Sequence, residues 1–312
     1  METDSEKVIE DLLKNKKLNL FRGDDSAFEY SRVPFNIPAL DRLTGGGIAK
    51  KRLTLIYGPT NVGKSYLASQ ICANVLKSGG QAAWIDTELS WDSEWMARCG
   101  VDTSKILVGQ PESGEEAMDT IRTLLDASFD LVVLDSIAGL VPHKNLEEDF
   151  SFNPMAWQAR FVNSSLPKIL PSLSNGGALV AVNQVRSSIG PVALDNMPGG
   201  LAQSFFAHAL LQVRRKGWIE DKGEKVGFDM EVRLRKTKIG GENWSSASVP
   251  FRVDGGIDIL ESYIREALGK KLITQAGPWY TYKEQKHMGL NGIKKVFLED
   301  EVLFGELKES VT

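Results

Sequence analysis

Cysteines, histidines and long apolar runs are scarce in this sequence. Among 312 residues there are 2 cysteines, Cys72 and Cys99, and 3 histidines. Neither residue type has the spacing of a zinc site or of a disulfide framework, so both cysteines are interpreted as reduced packing residues. The charged first residues do not resemble a secretory signal, and no stretch is apolar enough to span a bilayer. These absences favour a cytoplasmic protein without a membrane partner.

An excess of positive charge is also missing. The formal net charge is -4, with 37 Lys and Arg against 41 Asp and Glu. This balance excludes a globally basic nucleic-acid binder, yet basic residues bunch in VRRKGW and in RLRKTKIGG. Local patches of this kind can bind phosphate groups on a chain of negative total charge.

A phosphate-binding loop is the clearest chemical motif in the sequence. GPTNVGKS, residues 58–65, matches G-x-x-x-x-G-K-[ST] and lies between an apolar run, RLTLIY, and a helical pattern, SYLASQICANVLK. Its glycines let backbone N–H groups surround phosphate oxygens, Lys64 reaches the β and γ phosphates, and the Ser65 hydroxyl ligates Mg²⁺. The predicted nucleotide-binding residues here are Gly58, Pro59, Thr60, Asn61, Val62, Gly63, Lys64, Ser65 and Tyr66. The chain is therefore expected to bind a nucleoside triphosphate.

Two carboxylates lie at the ends of predicted strands. Asp135 ends the apolar run of DLVVLD, at the sheet edge where ligands of open α/β sheets bind, and is predicted to hold Mg²⁺ through a water. Glu88, in WIDTELSWD, is predicted to orient and deprotonate the attacking water. The simpler alternatives are a helix cap for Asp135 and a surface turn for Glu88.

Patterns along the chain predict an α/β protein in three parts. Residues 1–32 contain an amphipathic helix that packs either on its own core or on a neighbouring molecule, with apolar positions Val8, Ile9, Leu12 and Leu13. Residues 33–258 alternate strands with helices, which predicts a mostly parallel sheet covered on both faces. Residues 259–312 begin with a helix and read as a small α/β unit. Two long segments, 141–155 and 186–200, resist a regular assignment, and such loops are usually functional or disordered.

The chain resembles the bacterial RecA recombinase family, including its phage-encoded relatives, from about Pro34 into the C-terminal region. The strings that carry this likeness are GPTNVGKS, WIDTELSWD, DLVVLDSIAGLVP, VNQVRSSIG, PGGLAQSFFA, KTKIGG and KLITQAGPWYTYK. The last string matters most, because hexameric helicases and clock-type ATPases of the same superfamily lack such a C-terminal unit. The resemblance implies a P-loop RecA-type core with a twisted sheet, an N-terminal oligomerisation segment and a small C-terminal domain.

The resemblance also assigns roles to residues of the nucleotide site. Glu88 is similar to the hydrolytic glutamate, and Gln184 to the γ-phosphate sensor that leads into a DNA-binding loop. Lys236 and Lys238 are similar to lysines that reach the ATP of the adjacent subunit and, with Lys64, complete the predicted catalytic set. Asp92 and Trp95 join the nucleotide-binding residues, Trp95 near the adenine; the alternative for Trp95 is a core tryptophan.

Two DNA-binding loops are implied by the same resemblance, at residues 146–155 and 187–198. The DNA contacts are then Met155, Arg160, Asn163, Arg186, Gly199 and Gly200, and Phe205 couples ATP binding to DNA binding across subunits. The sequence departs from the family at Glu147, Glu148 and Asp149, at Ser187 and Ser188, and at Pro167. These departures indicate a divergent or phage-encoded member.

The implied function is ATP-dependent DNA recombination. The chain would form a homo-oligomeric helical filament on single-stranded DNA, pair it with homologous double-stranded DNA, and use ATP and Mg²⁺. Two alternatives remain: a ring-forming helicase or translocase of the same superfamily, and a mediator that loads a recombinase without hydrolysing ATP.

Overall fold

Short apolar strands alternate with helices along most of this chain. The computed structural model describes residues 4–143 apart from 16 and 19, and then residues 154–185, 197–200 and 202–311. The strands are β1 (Arg32–Val33), β2 (Ile48–Ala49), β3 (Leu53–Gly58), β4 (Ala82–Asp86), β5 (Leu107–Gly109), β6 (Leu131–Asp135), β7 (Ala178–Gln184), β8 (Ala209–Asp221), β9 (Glu224–Thr237), β10 (Ser246–Arg252), β11 (Gly256–Ile257), β12 (Thr274–Ala276), β13 (Trp279–Tyr282) and β14 (Gln285–Met288). The α-helices are α1 (Asp4–Lys14), α2 (Pro38–Thr44), α3 (Lys64–Lys77), α4 (Ser93–Arg98), α5 (Gly114–Asp126), α6 (Pro154–Ile169), α7 (Ala202–Phe206), α8 (Ile259–Gly269), α9 (Gly289–Glu299) and α10 (Glu301–Val311).

A nine-stranded sheet forms the centre of the larger unit, in the order β11-β10-β9-β8-β3-β7-β6-β4-β5. The six strands from β8 to β5 pair in parallel, whereas β9, β10 and β11 extend the sheet antiparallel. All residues of β3, β4 and β6 are buried. Strands covered on both faces have apolar residues at successive positions, and this explains runs such as LVVLD. The predicted α/β fold with a mostly parallel sheet is confirmed.

Alternate residues of the central strands pack on opposite faces. Leu53, Leu55 and Tyr57 of β3 join one apolar cluster with Ile121 of α5 and Leu166 of α6. The intervening positions of β3 face the other side of the sheet, where α3 lies against β3, β4, β6 and β7. Since α3 begins where β3 ends, the loop between them is held at one edge of the sheet.

Ser113 is the residue that caps the start of helix α5. The Ser113 hydroxyl accepts from the N–H of Glu116 at 3.2 Å, and the Glu116 carboxylate accepts from the N–H of Glu112 at 2.8 Å. In a capping box the Glu116 carboxylate would accept from the N–H of Ser113, whereas here it accepts from the N–H of the preceding residue, Glu112.

The long hairpin of β8 and β9 was not predicted. The two strands have 13 and 14 residues and pair antiparallel around a turn at Lys222 and Gly223. Beyond Val213 most residues of β8 are exposed, so this part lacks the apolar alternation that signals a half-buried strand. Both basic stretches noted in the sequence lie largely on this hairpin.

The ends of the chain form smaller structures. Residues Met1–Ser31 make one compact unit and Arg32–Thr312 the other. In α1, Val8, Ile9 and Leu12 are exposed. In the C-terminal region, β12, β13 and β14 form a three-stranded sheet, and α8, α9 and α10 contribute to a core that includes Ile293 and Phe297. The predicted boundaries after residues 32 and 258 stay predictions. No helix in the described part of the chain is long and apolar enough to cross a bilayer.

A buried carboxylate connects the large sheet to the C-terminal helices. Glu261 of α8 is 2% exposed and accepts hydrogen bonds from Arg252 of β10, from Arg265 of its own helix and from Lys294 of α9. Burial alone would raise the pKa of Glu261, but Lys294 and Arg265 outweigh it and hold the pKa below the ordinary 4.5. Three cations from three elements therefore share Glu261, and each also pairs with a second carboxylate, Asp229 or Asp258.

Glu261→Gln should lower the free energy of unfolding by about 2 kcal/mol, because it removes the buried negative charge that accepts hydrogen bonds from three cations. Glu299→Gln, in the exposed pair with Lys295, should cost less than about 1 kcal/mol. Urea denaturation measures both. Because the folded-state pKa is lowered, the Glu261 contribution is present above pH 4.5 and disappears as the pH falls through the folded-state pKa. Equal costs for the two variants would contradict a stabilising role of the network.

Candidate nucleotide-binding and catalytic site

The phosphate-binding loop joins the end of β3 to the start of α3. Gly63 is the residue before the helix, in the left-handed region with φ 90°, and Asn61 also has a positive φ of 54°. The first backbone hydrogen bond of the helix is donated by the N–H of Leu67 to the carbonyl of Gly63. The N–H groups of Lys64, Ser65 and Tyr66 therefore lie in the first turn, where a helix has no carbonyl partner for them. This is the positive end of the helix dipole, which favours an anion.

Gly58 is required by the sheet as well as by the loop. A Cβ at this position would lie 2.1 Å from the backbone oxygen of Val213 in β8. No side-chain movement can relieve a contact with the main chain of a neighbouring strand. The first glycine of the motif therefore allows β3 and β8 to lie side by side.

Lys64 is buried within the loop that it follows. Its side chain is 8% exposed, and Nζ donates to the carbonyl of Pro59 at 2.6 Å. Burial lowers the pKa of Lys64, whereas the charges of Asp135 and Glu88 raise it. The three predicted residues thus lie close enough to interact electrostatically.

Asp135 ends β6 directly beside the loop. It is 6% exposed, and burial raises its pKa to about 6, assisted by the charges of Glu88 and Asp86. The Ser65 hydroxyl donates a hydrogen bond to Asp135. This bond and the positive charge of Lys64 both lower the pKa of Asp135 and partly offset the effect of burial. A cation bound here would favour the ionised carboxylate. The structure therefore brings the two predicted Mg²⁺ ligands, Ser65 and Asp135, into contact.

Glu88 lies just beyond β4 and is held by two donors. The Ser136 hydroxyl and Nε2 of Gln184 both donate to its Oε1, at 2.5 and 2.8 Å. Ser136 is fixed in turn by Thr87, whose hydroxyl accepts from the Ser136 N–H at 2.9 Å and donates to the Ser136 carbonyl at 2.7 Å. Because both side-chain donors to Glu88 in the described part of the chain use Oε1, Oε2 can accept a hydrogen bond from a water molecule.

The remaining predicted nucleotide residues have different surroundings. The ring of Tyr66 is buried, with its centroid 5.1 Å from that of Phe251, so a nucleotide contact from Tyr66 would come from its backbone. Asp92 caps α4 by accepting from the N–H groups of Glu94 and Trp95. Trp95 is half-buried, and the Arg98 guanidinium lies 5.3 Å from its ring centroid. In the loop, Thr60 and Asn61 are exposed and Val62 is buried. The predicted nucleotide contacts of Asp92 and Trp95 stay predictions.

Lys236 and Lys238 lie together with Phe205, away from the loop. Nζ of Lys236 donates to the carbonyls of Ser204 and Phe205, and Nζ of Lys238 lies 5.6 Å from the Phe205 ring centroid. Lys236 pairs with Leu210, which pairs with Leu55, the third residue of β3. The N–H of Lys238 donates to the carbonyl of His208, whose N–H donates to the carbonyl of Leu53 at the start of β3. The two lysines are thus at the sheet edge opposite to the end of β3. Phe205 is 73% exposed.

The predicted DNA contacts lie only partly within the described residues. Arg160 and Asn163 are exposed on α6, and the Arg160 guanidinium lies 5.6 Å from the ring centroid of Trp157. A Cβ on Gly200 would lie 3.2 Å from Cβ of Ala159, so the glycine pair 199–200 packs beside this helix. Residues 154–155 belong to α6 rather than to a loop. Arg186, the side chain of Met155 and most of both predicted loops lie outside the described residues.

Several residues of the site were missed by sequence reasoning. Ser136 and Thr87 were overlooked although each is adjacent in sequence to a predicted residue, and their contacts cross from β4 to β6. Asn183 and Gln203 are buried amides that hydrogen-bond each other at 2.7 Å. Two polar residues at the end of an apolar strand, in VNQ, were the available signal for Asn183.

Gly58→Ala should destabilise the protein by more than about 2 kcal/mol without any nucleotide, because the added Cβ separates β3 from β8. Gly217→Ala is the matched control, since a Cβ at Gly217 of β8 meets nothing within 4 Å. Thermal unfolding of both variants would measure the difference. A Gly58→Ala variant as stable as Gly217→Ala would show that the first glycine serves only the phosphate.

Comparisons with known proteins agree with this geometry. The family model described as the RecA N-terminal domain matches residues 14–258. The chain is 33% identical to Protein RecA of Chlorobaculum tepidum over 296 residues, which cover 93% of this chain and 85% of that protein. It is also 33% identical to Protein RecA of Aquifex pyrophilus over 289 residues, which cover 91% and 83%. The chain therefore belongs to the RecA family.

Proposed function

We propose that this chain acts as a filament: it polymerises on single-stranded DNA, pairs that strand with a homologous duplex, and hydrolyses ATP to release the product. Membership of the RecA family makes it a nucleotide-binding, ATP-dependent recombinase and a DNA-dependent ATPase. One observation supports the proposal most strongly. Glu88, the candidate base, is hydrogen-bonded to Gln184 at the end of the strand that leads to a predicted DNA loop.

The residues present fit ATP and Mg²⁺. The first turn of α3 presents its N–H groups where phosphates would bind. The Ser65 hydroxyl would supply a hard oxygen ligand and the Asp135 carboxylate would hold Mg²⁺ through a water, since Mg²⁺ commonly keeps several waters beside one or two protein ligands and substrate phosphates. When bound, Mg²⁺ would neutralise charge on the β and γ phosphates.

Glu88 is the residue that acts on the attacking water. Its Oε1 is held by Ser136 and Gln184, so the carboxylate is oriented, and Oε2 can accept the proton of a water beside the γ-phosphate. Lys64 places its positive charge near the transferred phosphate, where negative charge develops. Gln184 could donate to a phosphate oxygen instead of to Glu88, which would make its position depend on the nucleotide.

Lys236 and Lys238 are proposed to act on the nucleotide of a neighbouring copy. They lie near the start of β3, whereas the phosphate-binding loop follows its end. Gly58 lies three positions after Leu55 along β3, a rise of about 10 Å along the strand. A lysine at the opposite sheet edge serves a second molecule more readily than its own, and this requires an oligomer.

DNA contacts are proposed at the glycine pair 199–200 and at Arg160 and Asn163, together with Met155 and Arg186. Since the net charge is -4, a few local groups must hold the DNA backbone, and binding should be independent of base sequence and weaken with salt. The cytoplasmic location stays a prediction of the sequence.

Electron microscopy with single-stranded DNA and an ATP analogue tests the proposal against its alternatives. An open helical filament is expected. A closed ring would favour a helicase or translocase, and a small complex without ATP hydrolysis would favour a mediator.

Glu88→Gln should slow ATP hydrolysis by about 10²-fold or more while ATP stays bound, because the amide cannot accept the proton of water. Phosphate release and equilibrium binding of a fluorescent ATP analogue measure the two effects separately. Glu94→Gln, an exposed residue of the same segment, should leave both unchanged. Hydrolysis at the parental rate in the Glu88→Gln variant would exclude Glu88 as the base.

Lys236→Ala should reduce DNA-stimulated hydrolysis, and mixing this variant with Glu88→Gln should restore part of it. In the mixture, some interfaces combine an intact Glu88 from one copy with an intact Lys236 from the next. A mixture of Lys236→Ala with Lys238→Ala is the control, because each of its interfaces lacks one lysine. No recovery in the first mixture would count against catalysis between subunits.

A further inference from the structure

A buried pair of amides connects the end of β7 to the segment that contains the predicted DNA-contacting glycines. Asn183 is 0% exposed and Gln203 of α7 is 1% exposed. Nδ2 of Asn183 donates to Oε1 of Gln203 at 2.7 Å and to the carbonyl of Pro198 at 2.8 Å. Nε2 of Gln203 donates to the carbonyls of Pro198 and Gly200, at 2.6 and 2.8 Å. The two side chains therefore hold both ends of the turn 198–200.

The pair is also bonded to the backbone of Gln184. Oδ1 of Asn183 accepts from the N–H of Gln184 at 2.8 Å. With this bond, both N–H donors of each amide and its carbonyl oxygen all have partners. A fully bonded buried network is rigid, and a displacement of one member breaks bonds throughout it.

Neighbouring residues of β7 direct this network to two sides of the sheet. Successive side chains of a strand point to opposite faces. Gln184 reaches Glu88 in the candidate catalytic site, and Asn183 reaches Gln203 and Pro198 on the other side. A shift of the Gln184 peptide when its side chain changes partner would therefore move the N–H donor to which Oδ1 of Asn183 is bonded.

The glycine pair is in close contact with the same region. Gly199 and Gly200 have φ of 82° and 75°, and a Cβ on Gly199 would lie 2.9 Å from Cγ2 of Ile137. Ile137 follows Asp135 and Ser136 at the end of β6. Close packing therefore leaves the turn 198–200 little space to move. Any movement of the turn would also displace its hydrogen bonds from Gln203 and Asn183.

We propose that Asn183 and Gln203 are positioning residues that couple the nucleotide contact of Gln184 to the DNA contacts at Gly199 and Gly200. The proposal rests on the proposed function, because it assumes that Gln184 meets the nucleotide and that the glycines meet DNA. It adds the amide pair as the physical connection. A purely structural role would affect stability and all affinities without changing the ratio between them.

Gln203→Met and Asn183→Asp test the connection in the full-length chain. Gln203→Met keeps the approximate size of the side chain but removes its donors and acceptor. Asn183→Asp replaces the amide that donates to Pro198 and Gln203 with a second acceptor oxygen and a negative charge, so it breaks both bonds. Thr54→Val is the control, since the buried Thr54 hydroxyl of β3 has no hydrogen-bond partner among the described residues. The probe is fluorescent single-stranded oligothymidylate, titrated with and without a non-hydrolysable ATP analogue.

The quantity to compare is the coupling factor, the ratio of DNA affinities with and without the analogue. It should fall by about tenfold in both amide variants and stay at the parental value in Thr54→Val. Affinity for the analogue without DNA should change by less than about twofold, because the phosphate-binding loop is untouched. An unchanged coupling factor, or equal losses with and without the analogue, would overturn the coupling role while leaving the proposed function intact.

Two further outcomes keep the two proposals distinguishable. If the parental protein binds DNA equally well with and without the analogue, the proposed function itself fails and the coupling fails with it. Hydrogen exchange on the parental protein needs no variant: the analogue alone should increase protection of the amides of Gly200 and α7. No change in that protection would overturn the connection even if both variants failed to fold.

Discussion

The parallel register of β3, β7, β6 and β4 is the constraint on which the rest of this structure depends. Gly58 pairs with Gln184, and Asp135 pairs with Asp86, so four neighbouring strands end at the same edge of the sheet. Residues that are far apart in sequence therefore meet there without a dedicated scaffold. The loop after β3, the acid after β4, the carboxylate of β6 and the amide of β7 form one site because parallel strands present their carboxyl ends together.

Electrostatics at that edge of the sheet favour the binding of an anion together with a cation. Burial lowers the pKa of Lys64 and raises that of Asp135 to about 6, so each charge is costly where it lies. A phosphate beside Lys64 and a cation beside Asp135 would offset both costs. Burial also tends to raise the pKa of Asp86, but donors from Gln110, Ser90, Trp91 and Glu88 outweigh it, and the pKa is lowered. Asp86 thus stays an anion that fixes the turn around Glu88.

The opposite edge of the same sheet has a different role in the proposed assembly. Lys236, Lys238 and the exposed Phe205 lie there, and Lys236 donates to the carbonyl of Phe205. Two complementary edges on one sheet allow a head-to-tail interface between copies of the chain. Such an interface repeats into a helical filament when the rotation from one copy to the next does not close into a ring. The amide pair of Asn183 and Gln203 lies between the site and the turn 198–200. It would let one molecule link its own nucleotide to its DNA contacts.

The sequence by itself determined the local chemistry, and only the tertiary structure decided which residues act on one another. The loop at 58–65, Asp135 at the end of β6 and Glu88 after β4 were readable because a motif or an apolar run marks each within a few residues. The mostly parallel sheet followed from alternating strands and helices. By contrast, the bonds of Glu88 to Ser136 and Gln184, of Thr87 to Ser136 and of Asn183 to Gln203 join residues separated by 48, 96, 49 and 20 positions. Such pairs depend on strand order and register, which no local pattern contains. The β8–β9 hairpin escaped prediction for a related reason: the outer part of β8 is stabilised by cross-strand hydrogen bonds, while most of its side chains face solvent and leave no apolar period.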